Sequence, residues 1–164
     1  MKASIQALAA ILVFFSALPV AGGEISGPPK VIDGDTVEVA GERIRLHGID
    51  APEMRQDCTG PQGLPYSCGK KSKAHLSQII GLHELICQAT KRDRYGRLIA
   101  TCTTVPIQIN ARLVRDGWAL AYRKYSPDYQ ELEQQAQQEG LGLWQGSFTP
   151  PWTWRLQQRR GSHE

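Results

Sequence analysis

Short runs of alternating apolar and polar residues dominate the first half of the chain, and helical spacing takes over in the second. Val31-Ile32 and Thr36-Val37-Glu38-Val39 read as short strands around the turn Asp33-Gly34-Asp35. Ala40-Gly41 turns the chain again, and Glu42 to Leu46 alternates so that Ile44 and Leu46 face inward with Arg45 on the opposite face. Residues 54–68 carry Gly60, Pro61, Gly63 and Pro65, which predicts a loop. Lys70 to Ile80 has helical spacing, with Leu76, Ile79 and Ile80 on one face and Gly81 as the stop. Leu85–Thr90 and Arg97–Thr103 form a hairpin about Asp93-Arg94-Tyr95-Gly96, whose Asp and Gly suit a type I turn. Ile107–Asp116 is a second predicted helix, closed by Gly117. A third opens with Ser126 as N-cap and Pro127 at its first position, buries Tyr129, Leu132 and Ala136, and stops at Gly140.

Strands with helices inserted and appended predict an α+β fold. Five short strands with Gly/Pro punctuation fit a small Greek-key barrel of the OB type with about three helices, and periodicity alone leaves an open split sheet as the alternative. Residues 1–23 begin with Lys2, run apolar from Ala7 to Val20 and end in small residues, which is the pattern of a cleaved secretory signal. The apolar run is shorter than the roughly 20 residues a spanning helix needs. The rest of the chain reads as one domain over residues 24–148 and a basic tail over 149–164 that contains Pro150, Pro151, Trp152 and Trp154. That tail either packs back on the barrel or extends a nucleic-acid surface with Arg155, Arg159 and Arg160.

The net charge of +3 permits a nucleic-acid partner without demanding one. Basic residues cluster at Lys70, Lys71, Lys73 and at Lys91, Arg92, Arg94, Arg97. The chain has 4 cysteines and no Cys-x-x-Cys, so disulfides in an exported protein fit better than zinc. Cys87 and Cys102 lie symmetrically about the hairpin turn and would face each other, leaving Cys58 to pair with Cys68.

The chemistry concentrates in the turns. Asp33 and Asp35, two apart on an extended segment, point the same way, and Asp50 arrives from the end of the next strand. Oxygen ligands suit calcium or magnesium. The spacing excludes an EF-hand, since Val37, Glu38 and Ile44 stand where that loop needs an oxygen ligand, Gly and Glu. Arg45 shares the sheet with these acids and can pair with them or hold an anion beside them. Glu53 follows Asp50 across Ala51-Pro52 and can take a proton from water. Arg97 is either a second donor to a phosphate or an ion-pair partner of Asp93.

Val31 to Val37, Arg45 with Asp50-Ala51-Pro52-Glu53, and Asp93 to Arg97 together resemble the three active-site blocks of the staphylococcal nuclease (thermonuclease) family, and Gly140 to Trp144 resembles the end of its last helix. The resemblance spans about residues 29–148. It implies an OB barrel, a calcium cofactor and hydrolysis of DNA and RNA, single-stranded by preference, to 3′-phosphate ends. It implies Asp35, Asp50 and the Ala51 carbonyl as calcium ligands and Asp33 acting through water. Glu53 becomes the general base, with Arg45 and Arg97 as phosphate and transition-state donors. Tyr95, Tyr122, Tyr125, Lys70, Lys71 and Arg94 become substrate contacts. Ala51 stands where the family's best-studied member has Thr, and the segment Tyr122 to Pro127 is one residue longer than its counterpart. An exported monomer without stable membrane association is expected. The rivals are a non-catalytic OB module that binds single strands, which gives the acids and arginines no reason to occur together, and a calcium-stabilised structural domain, which leaves Arg45 and Arg97 idle.

Overall fold

The computed structural model describes residues 23–161, so the expected signal segment lies outside the described residues apart from Gly23. In chain order the elements are β1 (Glu24–Gly27), β2 (Pro29–Val31), β3 (Thr36–Val39), β4 (Glu42–Leu46), β5 (Ile49–Asp50), β6 (Cys58–Thr59), β7 (Pro65–Tyr66), α1 (Cys68–Ile80), β8 (Leu85–Arg92), β9 (Leu98–Thr104), β10 (Ile107–Gln108), α2 (Ile109–Arg115), β11 (Leu120–Ala121), α3 (Gln130–Gln138), a 3₁₀ turn (Gly142–Gln145) and α4 (Pro151–Gly161). No helix among the described residues is long and apolar enough to cross a membrane.

The main sheet has the order β1-β8-β9-β4-β3-β2, with β10 added to β9. β4 and β9 run parallel, and the other neighbours are antiparallel. β1 and β2 are separated by Pro28 alone, yet β1 pairs with β8 at one edge and β2 with β3 at the other. One bent segment therefore joins both edges and brings the sheet close to a barrel. The bend sits at Gly27, whose φ of 148° an L side chain rarely adopts. The α+β barrel expected from the sequence is thus the observed architecture, with more and shorter strands than five and with four α-helices.

The alternating strands send Val37, Val39, Ile44, Leu46, Leu85, Cys87, Ala100 and Cys102 into one core, which Leu76 and Ile80 of α1 and Ile109 and Leu113 of α2 close from the side. Each buried aliphatic side chain contributes roughly 1.5–3 kcal/mol of transfer free energy. Asn110 of α2 is fully buried. It accepts from the Cys102 backbone N–H and donates to the carbonyls of His47 and Ala100, which satisfies the polar groups where helix meets sheet.

Several boundaries differ from the sequence reading. Ile107-Gln108 pairs with β9 before α2 begins. The third helix starts at Gln130, because Ser126 turns its hydroxyl to the backbone N–H of Asp128 and closes a local turn. Two short strands, β6 and β7, interrupt the loop of residues 54–68. The basic tail is helical from Pro151 and packs back on the domain.

Both disulfides form, Cys58–Cys68 and Cys87–Cys102, and no cysteine among the described residues is free. Cys87 and Cys102 are direct cross-strand partners on β8 and β9 with Cα atoms 4.1 Å apart, and both are buried. A link closing a loop of this length is worth about 3 kcal/mol through the unfolded state. Replacing Cys87 and Cys102 together with Ala should therefore lower stability by about 3 kcal/mol, read as a lower urea midpoint together with a higher m-value, since the unlinked denatured chain is less compact. A midpoint that does not move would show that the hairpin register holds without the link.

Candidate active site

The Asp33-Gly34-Asp35 turn delivers two acids to the mouth of the barrel. Asp33 accepts from the Asp35 backbone N–H at 3.0 Å, which shapes the turn. Gly34 lies against α1 and the Ala51 loop, and a Cβ there would overlap the Ser72 hydroxyl and Ala51. Asp35, 4% exposed, accepts from the Thr36 hydroxyl (3.1 Å), the Ala51 backbone N–H (2.9 Å) and Arg45 (2.8 Å). Asp50, fully buried, ends β5 and is held by the pairing of β5 with β11, opposite Leu120.

Arg45 stands on the outward face of β4, and its two terminal nitrogens reach different strands. Nη1 donates to Asp35 at 2.8 Å and Nη2 to Asp50 at 2.6 Å. Burial weakens the guanidinium's hold on its proton, but Asp35 and Asp50 outweigh it and keep Arg45 above the ordinary arginine range. Burial also pushes the Asp50 carboxyl up, against the pull of its hydrogen bond from Arg155. Asp33 is raised to about 6, first by burial and then by the charge of Asp35.

Glu53 lies at the rim. Its backbone carbonyl packs on Gly69 at the start of α1, where a Cβ would overlap it, and its N–H and carbonyl both bond to Gln56. Its carboxylate accepts from Arg155 Nη1 at 2.6 Å, and the same guanidinium donates to both Asp50 oxygens at 3.1 and 2.7 Å. Asp35, Asp50, Glu53 and Arg45 therefore form one cluster, completed by an arginine from α4.

Arg97 stands apart from it. Its Nε and Nη2 bond to Asp93 at 2.9 and 2.8 Å, and its guanidinium lies 5.5 Å from the Tyr95 ring centre. Arg45 pairs with Ile99, and Arg97 precedes Ile99 by two on the same face, about 7 Å along the strand. Of the two options the sequence leaves for Arg97, the structure shows the ion pair. Arg94 packs on the exposed Tyr95 ring at 4.7 Å. Tyr122 and Tyr125 meet edge to face at 4.8 Å. Lys70 and Lys71 are exposed on the first turn of α1.

Sequence reasoning missed Gln56, and it named Trp152 and Arg155 in the tail without assigning either to the site. Gln56 is fully buried and ties the Glu53 loop to the chain entering α4, donating to the Thr149 carbonyl at 2.6 Å. Trp152 stacks on Tyr122 with ring centres 5.5 Å apart and planes 6° from parallel. The signal was present: Pro151 suits a first helical position, and Trp152 and Arg155, three apart, then share one face.

A carboxyl whose folded pKa lies above its unfolded value stabilises most when protonated. Without divalent ions, Asp33 should withdraw stability as pH rises from about 4 through about 6. Asp33→Asn keeps the acceptor for the Asp35 N–H and removes the titration. The difference in Tm between wild type and D33N, measured with chelator, should grow across that window in favour of the variant. A constant difference would show that Asp33 keeps its ordinary pKa.

Residues 43–146 match the family model described as staphylococcal nuclease homologue. The chain is 37% identical to the succinoglycan biosynthesis protein ExoI of Rhizobium meliloti, the match covering 73% of this chain and 64% of that protein. It is 32% identical to the protein ParB of Escherichia coli over 93% of this chain and 91% of its relative. It is 31% identical to the micrococcal nuclease of Shigella flexneri over 93% and 92%. A barrel carrying this carboxylate–guanidinium cluster, together with these matches, places the chain in the staphylococcal nuclease homologue family, as a hydrolase of the nuclease class.

Proposed function

We propose that the chain is an exported, calcium-dependent endonuclease that cleaves DNA and RNA, single strands preferentially, with little sequence preference and leaves 3′-phosphate ends. The observation that carries this reading is the Arg45 guanidinium fixed between two buried carboxylates, Asp35 and Asp50, with Glu53 beside them.

The donor chemistry fits a hard divalent ion. The acids are oxygen donors, two of them buried, and burial without a cation is costly for both. Among the described residues no three acidic or histidine side chains form a ready-made metal cage. The ion would therefore rely on Asp35, Asp50, the Ala51 carbonyl and water, with Asp33 acting through water. Calcium, when bound, supplies positive charge beside the phosphoryl oxygen.

The chain's own residues supply the rest. A guanidinium has five N–H donors, and Arg45 commits two bonds to Asp35 and Asp50, so others remain for a phosphate oxygen. Glu53 takes a proton from the attacking water as the new oxygen–phosphorus bond forms. The bond to the departing 5′ oxygen breaks, and that oxygen takes a proton from solvent. Arg97 exchanges Asp93 for the phosphate and offsets the charge that builds in the transition state. Tyr122, Tyr125 and Tyr95 offer aromatic faces to bases, and Lys70, Lys71 and Arg94 attract the polyanion in a salt-dependent way. Readout of base edges is not expected, since no helix is placed to enter a groove. Two disulfides support an oxidising compartment, the periplasm or the medium.

Heat-denatured DNA and RNA incubated with calcium or with chelator test the reading. Cleavage should need calcium, and the ends should carry 3′-phosphate. Glu53→Ser and Arg97→Ala should each lower kcat on the order of 10² to 10³ or more. Binding without cleavage, indifferent to metal, would replace the enzyme by a binding module. Full activity in R97A would leave Arg97 as the partner of Asp93 alone.

A further inference from the structure

α4 lies beyond the active-site motifs and beyond the matched residues 43–146, yet it sits in the site. Three contacts anchor it. Gln56 holds the Thr149 carbonyl just before the helix. Trp152 lies flat on Tyr122. Arg155 bonds to Glu53 and to both oxygens of Asp50. The first contact uses a fully buried glutamine, the second an aromatic stack and the third three charge-assisted hydrogen bonds, so the docking does not depend on a single side chain.

We propose that Arg155 is a tethered counter-cation that holds the metal position, so that a divalent ion enters the site only as Arg155 withdraws. The inference deepens the hydrolase reading and rests on it. Asp50 already accepts from Arg45 and Arg155, and both its oxygens are engaged. Three of the about four lone-pair sites of its carboxylate are thereby taken, and a divalent ion ligated by Asp50 would compete with Arg155 for the space beside them. The charges point the same way. Asp35, Asp50 and Glu53 face two guanidinium groups, Arg45 and Arg155. An added divalent ion would lie close to Arg155 in a water-poor pocket, where like charges repel strongly. Arg45 can stay, because it bridges Asp35 and Asp50 from within the sheet. Arg155 can leave, because it hangs from a C-terminal helix.

Trp152 and Arg155 act on the same helical face. One covers an aromatic ring to which a base could stack, and the other covers the carboxylates beside the scissile phosphate. α4 thus covers both the ring of Tyr122 and the acids, with Arg155 serving Asp50 and Glu53 as their cation in place of the metal. The opposing view is that Arg155 is a fixed third donor to the substrate phosphate, and it makes the opposite prediction for ion affinity.

Calcium titration of the whole mature protein by calorimetry separates the two. Arg155→Ala should bind calcium at least tenfold more tightly than wild type. Trp152→Ala, which leaves every acid and arginine in place, should also bind more tightly, by severalfold. In wild type, calcium should change the tryptophan emission, and that change should be lost in Trp152→Phe. In cleavage assays R155A should reach half-maximal rate at least tenfold lower calcium, with saturating kcat kept within about twofold. Unchanged or weaker calcium binding in R155A overturns the proposal, as does a collapse of its saturating kcat, which would make Arg155 a phosphate donor. If neither protein takes up calcium while nucleic acid is still cut, the counter-cation idea falls and the hydrolase stands. Tightened binding in R155A without cleavage by any variant keeps the counter-cation and removes the hydrolase.

Discussion

The Arg45 guanidinium, wedged between Asp35 and Asp50, is the interaction on which the fold around the site and its chemistry both depend. Two carboxylates with 4% and 0% exposure, side by side in a water-poor pocket, are held together only with a cation between them. Arg45 provides it from β4 with one nitrogen for each acid. Removing one member of such a buried set strands the charge of the others, which typically costs 3–5 kcal/mol. The cluster still carries unsatisfied electrostatic demand once Glu53 is counted. A small barrel that invests three acids and one arginine at its mouth is short of positive charge, and that shortage draws in a further cation.

Placement of the acids depends on backbone contacts more than on the acids themselves. The register of β3 on β4 sets Thr36 opposite Arg45, so the residue before Thr36 falls within reach of the guanidinium. β11 holds Asp50 through Leu120, and Glu133 of α3 in turn accepts from the Ala121 N–H. α1 presses on the site twice through positions that admit no side chain, with Ser72 against Gly34 and Gly69 against the Glu53 carbonyl. The catalytic loops are thereby fixed by rigid neighbours on two sides, which is what a site that stabilises developing charge requires.

Much of this was legible in the chain. Alternation in Thr36–Val39 and Glu42–Leu46 foretold which side chains enter the core and which face Arg45's side, because period two is a local property. The disulfide pairing was legible from the hairpin, whose register shifts by one between Ala89 and Lys91 and so sets Cys87 opposite Cys102. Local signals failed where the outcome depends on distant partners. Ser126-Pro127 has the chemistry of a helix start, yet the serine closes its own turn and the helix begins at Gln130. The Pro/Trp tail was read as either packing back or extending a surface, and only Tyr122, Gln56 and Asp50, far back in the sequence, decide for packing and make the segment a docked helix. Gln56 itself carries no motif, and its role exists only because residues 53 and 149 meet.

The two arginines beyond Arg45 show why sequence alone does not decide which cation reaches a site. Without a phosphate present, each guanidinium pairs with whatever carboxylate its backbone brings near. For Arg97 that is Asp93, four residues earlier in the same turn, where the arginine also donates its backbone N–H. Exchanging that partner for a phosphate needs rotation of one side chain, since Asp93 remains held by the N–H groups of Tyr95 and Arg97. For Arg155 the carboxylates are Asp50 and Glu53, about a hundred positions away, and exchange moves a helix with its stacked tryptophan. On the proposed reading the same residue type serves two purposes: a donor held in reserve by Asp93, and a cation held on Asp50 and Glu53. The difference lies in how much structure each arginine must carry with it when it lets go.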